Sequence, residues 1–206
     1  VAGVIVLSDL VWAFAGGRAD GWRRIAPAAL ALAGAAASIV WSALLIGFDE
    51  MGVAFSGMIS VDEFALFFNF LFAGIVAIVV LSSIDSLREN QFAPEYYALV
   101  LASAAGMMLL ASSIDLIAIF VALELTGISL YILVALLKDG RSSEAGLKYL
   151  LLGAISSAVT LYGMAFLFGI AGSTALDDIG RAVSEADGGT RPALVPFLIF
   201  FHSIGL

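Results

Sequence analysis

The chain has 206 residues, of which 62% are hydrophobic and 13% charged, with a formal net charge of −8 and a mean hydropathy of +1.10. A soluble domain is roughly half apolar and about a quarter charged, so this balance describes a polytopic membrane protein, and its acidity excludes nucleic acid as a partner. With no cysteine and one histidine, His202, the chain holds no iron–sulfur cluster, bis-histidine haem or ordinary zinc site by itself.

A membrane core of about 30 Å needs about 20 apolar residues of helix, at about 1.5 Å per residue. Windows of that kind predict spans at about 1–16, 26–48, 64–83, 96–113, 115–137 and 146–171, with a seventh beginning at 193–206. The first window contains Asp9 and reads as the tail of a span. A start at Val1 without methionine and an end at Leu206 inside an apolar run lead us to expect a piece of a longer protein.

Short cytoplasmic loops collect lysine and arginine. One set of alternate loops carries Arg18, Arg23, Arg24, Arg88, Lys138 and Arg141, whereas the other carries only Arg181 and Arg191. The first set is therefore assigned to the cytoplasm and Val1 to the outside. The acidic residues divide the same way: Asp49, Glu50, Asp62 and Glu63 form a base-free outer segment, and Asp177, Asp178, Glu185 and Asp187 occupy the long connection before the last span. In that connection Leu176, Ile179 and Val183 recur at helical spacing, predicting a short amphipathic helix at the interface, closed by Gly188, Gly189 and Pro192.

Within the spans, charge is rare. Glu124 lies near the middle of FVALELTGISLYILVALL, about 21 Å along the axis from Lys138, beyond the reach of any snorkelling side chain. A carboxylate that deep costs about 2.5–3.5 kcal/mol on insertion scales, and such groups mark ion or proton routes. The plainer alternative is a protonated carboxyl hydrogen-bonded to a neighbouring helix. Thr126 and Ser129 are its polar company in sequence, and Gly127 admits close approach of another backbone.

Lys148 stands about a turn inside the sixth span with Glu144 four residues before it, an arrangement equally consistent with an exposed helical ion pair and with a functional cation. Asp115 follows Ser112 and Ser113 at the start of a helix and reads first as a cap; Asp9 and His202 read first as structural. Gly153 with Ser157, and Ala154 with Ala158, mark close helix packing. The cluster Phe64, Phe67, Phe68 and Phe70 is expected to face lipid or neighbouring helices.

Three stretches, GMISVDEFALFFNFLF, EYYALVLASAAGMMLLASSIDLIAIFVALELTGISLYILVALL and RSSEAGLKYLLLGAISSAVTLYGMAFLFGIAG, carry a resemblance from about Gly57 to Gly172. In them the chain resembles the subunit N family of proton-pumping NADH:quinone oxidoreductase, respiratory complex I, which includes mitochondrial NADH dehydrogenase subunit 2. The resemblance implies an all-α, antiporter-like bundle of about fourteen helices with two inverted five-helix repeats and mid-membrane helix breaks. Six helices and the start of a seventh would lie here, with residues 1–95 holding the first transmembrane helices and 96–206 opening the first repeat.

By the same resemblance Glu124 and Lys148 match the family's proton-translocating glutamate and lysine on the fifth and sixth helices. Glu144 and Asp115 are secondary candidates, and no metal is implied. A lysine on the family's broken seventh helix, followed by Pro-Phe-His, is not reached before Leu206. An opposite charge within about 4–6 Å favours the ionised carboxyl and desolvation disfavours it, so a movable lysine would switch the glutamate's proton affinity. The resemblance implies a multi-pass subunit of the bacterial inner membrane, partnered by other membrane-arm subunits and the lipid bilayer. No cofactor would be bound by this chain; NADH, FMN, iron–sulfur clusters and quinone would be used by other subunits, making this a non-redox part of a translocase. Alternatives are a subunit of a multisubunit cation/proton antiporter or membrane-bound hydrogenase, or a structural membrane scaffold.

Overall fold

A computed structural model describes residues 20–47, 52–87 and 92–187. In order these form α1 (Asp20–Gly47), a hairpin of β1 (Gly52–Ala54) and β2 (Ile59–Val61), α2 (Glu63–Leu87), α3 (Ala93–Ser112), α4 (Leu116–Val134), α5 (Gly140–Ala171) and α6 (Leu176–Asp187). The helices α1 to α5 are long and apolar enough to cross a membrane, α1 over Ala26–Ile46. They overlie the windows at 26–48, 64–83, 96–113, 115–137 and 146–171, making this an all-α polytopic membrane protein. The windows at 1–16 and 193–206, with Asp9 and His202, lie outside the described residues.

Two helix ends differ from the sequence expectation, each for a local reason. The α4 helix closes at Val134 rather than at 137: Lys138 adopts a left-handed φ of 56°, and its N–H donates to the Ala135 carbonyl at 3.0 Å. The α5 helix begins at Gly140, ahead of the hydrophobic window at 146, because Asp139 caps it. One carboxylate oxygen of Asp139 accepts the Ser142 N–H at 2.6 Å, and the Asp139 N–H donates to the Ser142 hydroxyl at 3.2 Å. This reciprocal box satisfies orphan donors that an apolar window does not register.

Packing is by small residues, as expected where lipid supplies no hydrophobic drive between helices. Ala28, Ala31 and Ala35, one stripe of α1, meet Val76 and Val80 of α2 and Ala93, Tyr97 and Ala104 of α3. The Ser83 hydroxyl contacts the Tyr97 hydroxyl at 3.3 Å inside this cluster. Helices α3 and α4 make the most extensive contact among the described elements. Gly106 is its keystone: a Cβ there would lie 3.0 Å from the Ala122 carbonyl oxygen and collide with the Thr126 side chain.

One end of the bundle, the one assigned outside, is knitted by short backbone pairings. The hairpin pairs Gly52 with Val61 and Ala54 with Ile59, and Ile59 bridges to Ser113. The Ile114 N–H donates to Met58 O at 3.0 Å, while Leu116 N–H donates to Thr174 O at 2.9 Å and Leu176 N–H to Ile114 O at 3.0 Å. The α6 helix lies across this end with Ile179 and Val183 against Leu116 and Met164, as the spacing of its apolar residues predicts; Gly188, Gly189 and Pro192 fall outside the described residues. At the opposite end the Lys138 ammonium stands 4.8 Å from the centre of the Phe92 ring.

Outward faces are apolar. Phe64 and Phe67 are exposed on α2, with Phe68 half-buried between Phe64 and Phe72 in a ladder of rings 4.7 and 5.7 Å apart.

Candidate functional site

The fourth helix reads LIAIFVALELTGISLYILV, and Glu124 is the one charged residue in it. Eight residues from the helix start, it sits about 12 Å along the axis, near mid-span. Its side chain is half-buried and opens onto a cleft of about 370 Å³ between α4 and α5. From α4 the cleft takes Phe120, Leu123, Glu124 and Tyr131; from α5 it takes Tyr149, Leu152, Gly153, Ser156, Ser157 and Thr160. A cleft of this size admits several waters, and its hydroxyls supply the partners water needs. Among the described residues nothing pairs with the Glu124 carboxylate in an ion pair.

The polar company differs from that expected on sequence grounds. Thr126 turns the other way, its hydroxyl donating to Ala122 O at 3.0 Å and reaching Ser103 O of α3 at 3.5 Å. The Ser129 hydroxyl donates to Leu125 O at 2.7 Å. Neither lines the cleft. Apart from the Tyr131 phenol, the hydroxyls that do come from α5, where Tyr149, Gly153, Ser156 and Thr160 recur at steps of four, three and four and therefore share one face. That period is legible in YLLLGAISSAVT and is the signal that sequence reasoning passed over.

Gly127 also serves differently. The nearest neighbour of a Cβ there would be a side chain of its own helix, the Tyr131 hydroxyl at 2.9 Å. A helical side chain leans toward the N-terminus of its helix, so the Tyr131 phenol lies back over the turn of Gly127. On the facing helix a Cβ at Gly153 would overlap the same phenol oxygen. The Tyr131 ring packs edge-on against Tyr149 with centroids 4.8 Å apart and planes at 81°. Of the small-residue pairs on α5, Gly153 and Ser157 thus line the cleft, while Ala154 and Ala158 face outward.

The other candidates lie elsewhere. The Lys148 ammonium meets the Glu144 carboxylate at 2.5 Å, both side chains largely exposed at 70% and 65%. Lys148 does not line the cleft, but Leu152, one turn further along the same face, does. Asp115 is buried, 5% exposed, at the knitted end of the bundle. One of its carboxylate oxygens accepts the Ile117 N–H at 2.8 Å and the Ala118 N–H at 3.4 Å; the other accepts the Thr174 hydroxyl at 2.5 Å. It caps α4 and ties it to the α5–α6 connection. Among the described residues no three His, Cys, Asp or Glu side chains are grouped to hold a metal.

Residues 113–205 match the family model described as NADH:quinone oxidoreductase/Mrp antiporter, transmembrane. The chain is 42% identical over 191 residues to NADH-quinone oxidoreductase subunit N 1 of Koribacter versatilis, covering 88% of this chain and 36% of that protein. It is 47% identical over 125 residues to subunit N 2 of Chloroherpeton thalassium, covering 58% of this chain and 24% of that one. It thus spans about a third or less of the curated relatives it matches. Among solved structures, a chain of respiratory complex I from Thermus thermophilus with bound Aureothin superposes with a TM-score of 0.67 at 31% identity, over 88% of this chain and 38% of that one. A chain of an archaeal membrane-bound sulfane sulfur reductase shares the fold, with a TM-score of 0.73 at 20% identity over 99% of this chain and 43% of that one.

Proposed function

We propose, from the premise that this chain belongs to the subunit N family of NADH-quinone oxidoreductases, that it works in the membrane arm of such an enzyme and carries part of a proton path. Quinone reduction in other subunits drives the path; NADH, FMN, iron–sulfur clusters and quinone are handled there, and this chain contributes no redox group. Its setting is the bacterial cell membrane, its partners the other membrane-arm subunits.

The observation that carries the reading is Glu124 at mid-span, opening onto a hydroxyl-lined cleft between α4 and α5. A carboxylate there accepts a proton from water in the cleft and, as the neutral acid, releases it to the next group when the local charge changes. The donor water is reprotonated from the entry side, so the carboxyl returns to its starting state and one proton has advanced. In this reading Lys148, paired with Glu144 at the cytoplasmic end of α5, stands next in sequence to Tyr149 of the cleft lining and supplies a cation beside it. Asp115 is a capping residue rather than a member of the path.

The family model also names Mrp antiporters, so a cation/proton antiporter subunit is the second reading. Affinity purification of the tagged full-length protein from its native membrane separates the two. The first reading expects it to bring down an assembly that oxidises NADH and reduces quinone; an assembly without that activity overturns it in favour of the second.

A further inference from the structure

The Tyr131 hydroxyl occupies a notch that only two glycines leave open. A Cβ on Gly127 would stand 2.9 Å from it, and one on Gly153 would overlap it. The ring edge on Tyr149, with centroids 4.8 Å apart, fixes the phenol from the side. The hydroxyl is therefore held at the level of Gly127, three residues or about 4.5 Å along the axis from Glu124, and both line the same cleft. The Glu124 side chain leans toward the start of its own helix, so the link between the hydroxyl and the carboxylate runs through water in the cleft.

Direction along the membrane follows from the fold. The α4 helix runs from the knitted end at Asp115 toward Lys138, and α5 begins at Asp139, so Tyr131 and Tyr149 lie between the Lys138 end and Glu124. A proton entering from that end meets the two phenols before the carboxyl. Among the described residues the titratable groups that face Tyr131 are Glu124 on its own helix and Tyr149 on the next; Lys148 and Glu144 stand about a turn beyond the cleft.

We propose that Tyr131 is the relay residue through which protons from the Lys138 end reach Glu124. The hydroxyl gives its proton, through water in the cleft, to the Glu124 carboxylate while its oxygen takes a proton from a hydronium ion or water chain on the far side. Tyrosine is regenerated, the carboxylate becomes the acid, and one proton has advanced. This inference rests on the proposed role of Glu124.

The test compares Tyr131→Phe, Gly153→Ala and Glu124→Gln in the full-length protein in its membrane assembly. Proton uptake into vesicles is normalised to assembled complex on a native gel. Tyr131→Phe keeps the ring between Tyr149 and Gly153 and removes only the hydroxyl, and is expected to slow uptake about a hundredfold, the low end of what a positioned proton-transfer group contributes. The slower step should carry a larger solvent deuterium isotope effect than wild type, which a packing defect does not produce. Gly153→Ala, which retains the hydroxyl but fills its notch, should show the same slowing. Wild-type uptake in Tyr131→Phe alongside loss in Glu124→Gln overturns the relay and leaves Glu124 in place. Wild-type uptake in Glu124→Gln overturns both.

Discussion

At the level of single residues, the structure separates three carboxylates that sequence placed together as candidates. Glu124 faces a cleft, Glu144 faces the aqueous end of a helix, and Asp115 has its acceptor sites filled by two backbone N–H groups and the Thr174 hydroxyl. Asp115→Ala should therefore cost roughly 1–3 kcal/mol through the lost cap and the stranded hydroxyl, and Asp115→Asn, which still accepts, distinctly less. Thermal unfolding of the purified protein reads the difference. Lys148→Ala removes an exposed pair worth only about 0.3–0.5 kcal/mol, so the melting temperature should be nearly unchanged. A fall in proton transport in that variant would then report function and not folding. The position of Glu124 was legible because a lone carboxylate in an apolar run has few structural uses. Its neighbours were not, because the adjacent hydroxyls of Thr126 and Ser129 return to carbonyls of their own helix, and all the cleft hydroxyls but that of Tyr131 arrive from the next helix.

At the level of elements, hydropathy located each described span but not its ends, since ends are made by caps and not by apolar residues. Asp139 illustrates this. The Ser142 backbone N–H, foremost among its hydrogen bonds, holds its carboxyl below the ordinary Asp range. A depressed carboxyl stabilises the fold above its unfolded pKa and loses that contribution as pH falls through the folded value. Amide exchange in the first turn of α5 should therefore be slower in wild type than in Asp139→Ala at neutral pH, and the two should converge in strong acid. Packing between α3 and α4 depends equally on one position. Gly106→Ala would push against the Thr126 backbone N at 2.9 Å and the Ala122 carbonyl at 3.0 Å, neither of which can rotate away. A loss of about 1–3 kcal/mol is expected, and pairing it with Thr126→Ala should recover only the side-chain part.

On the scale of the molecule, the order of elements explains why a polar cleft forms here. The α4 helix packs α3 on one side through Gly106 and Thr126, which leaves its Glu124 face to α5. Helix α5 meets that face largely with glycine, serine and threonine, Leu152 being the aliphatic exception, so the two helices touch through Tyr131 and leave space around the carboxyl. The knitted end, where Asp115, Thr174 and the hairpin residues meet, fixes the register of α4 against α5. The helical bundle and its family resemblance were legible in three quoted stretches, whereas the Tyr131 notch arises from three residues, Gly127, Tyr131 and Gly153, brought together only by folding.

The most direct measurement is proton pumping by vesicles containing the full-length protein with Glu124→Gln in its assembled complex, driven by NADH oxidation. Glutamine matches glutamate in shape and remains polar but takes up no proton. The proposed role predicts normal assembly with pumping sharply reduced; normal assembly with wild-type pumping would contradict it and make Glu124 a structural carboxyl.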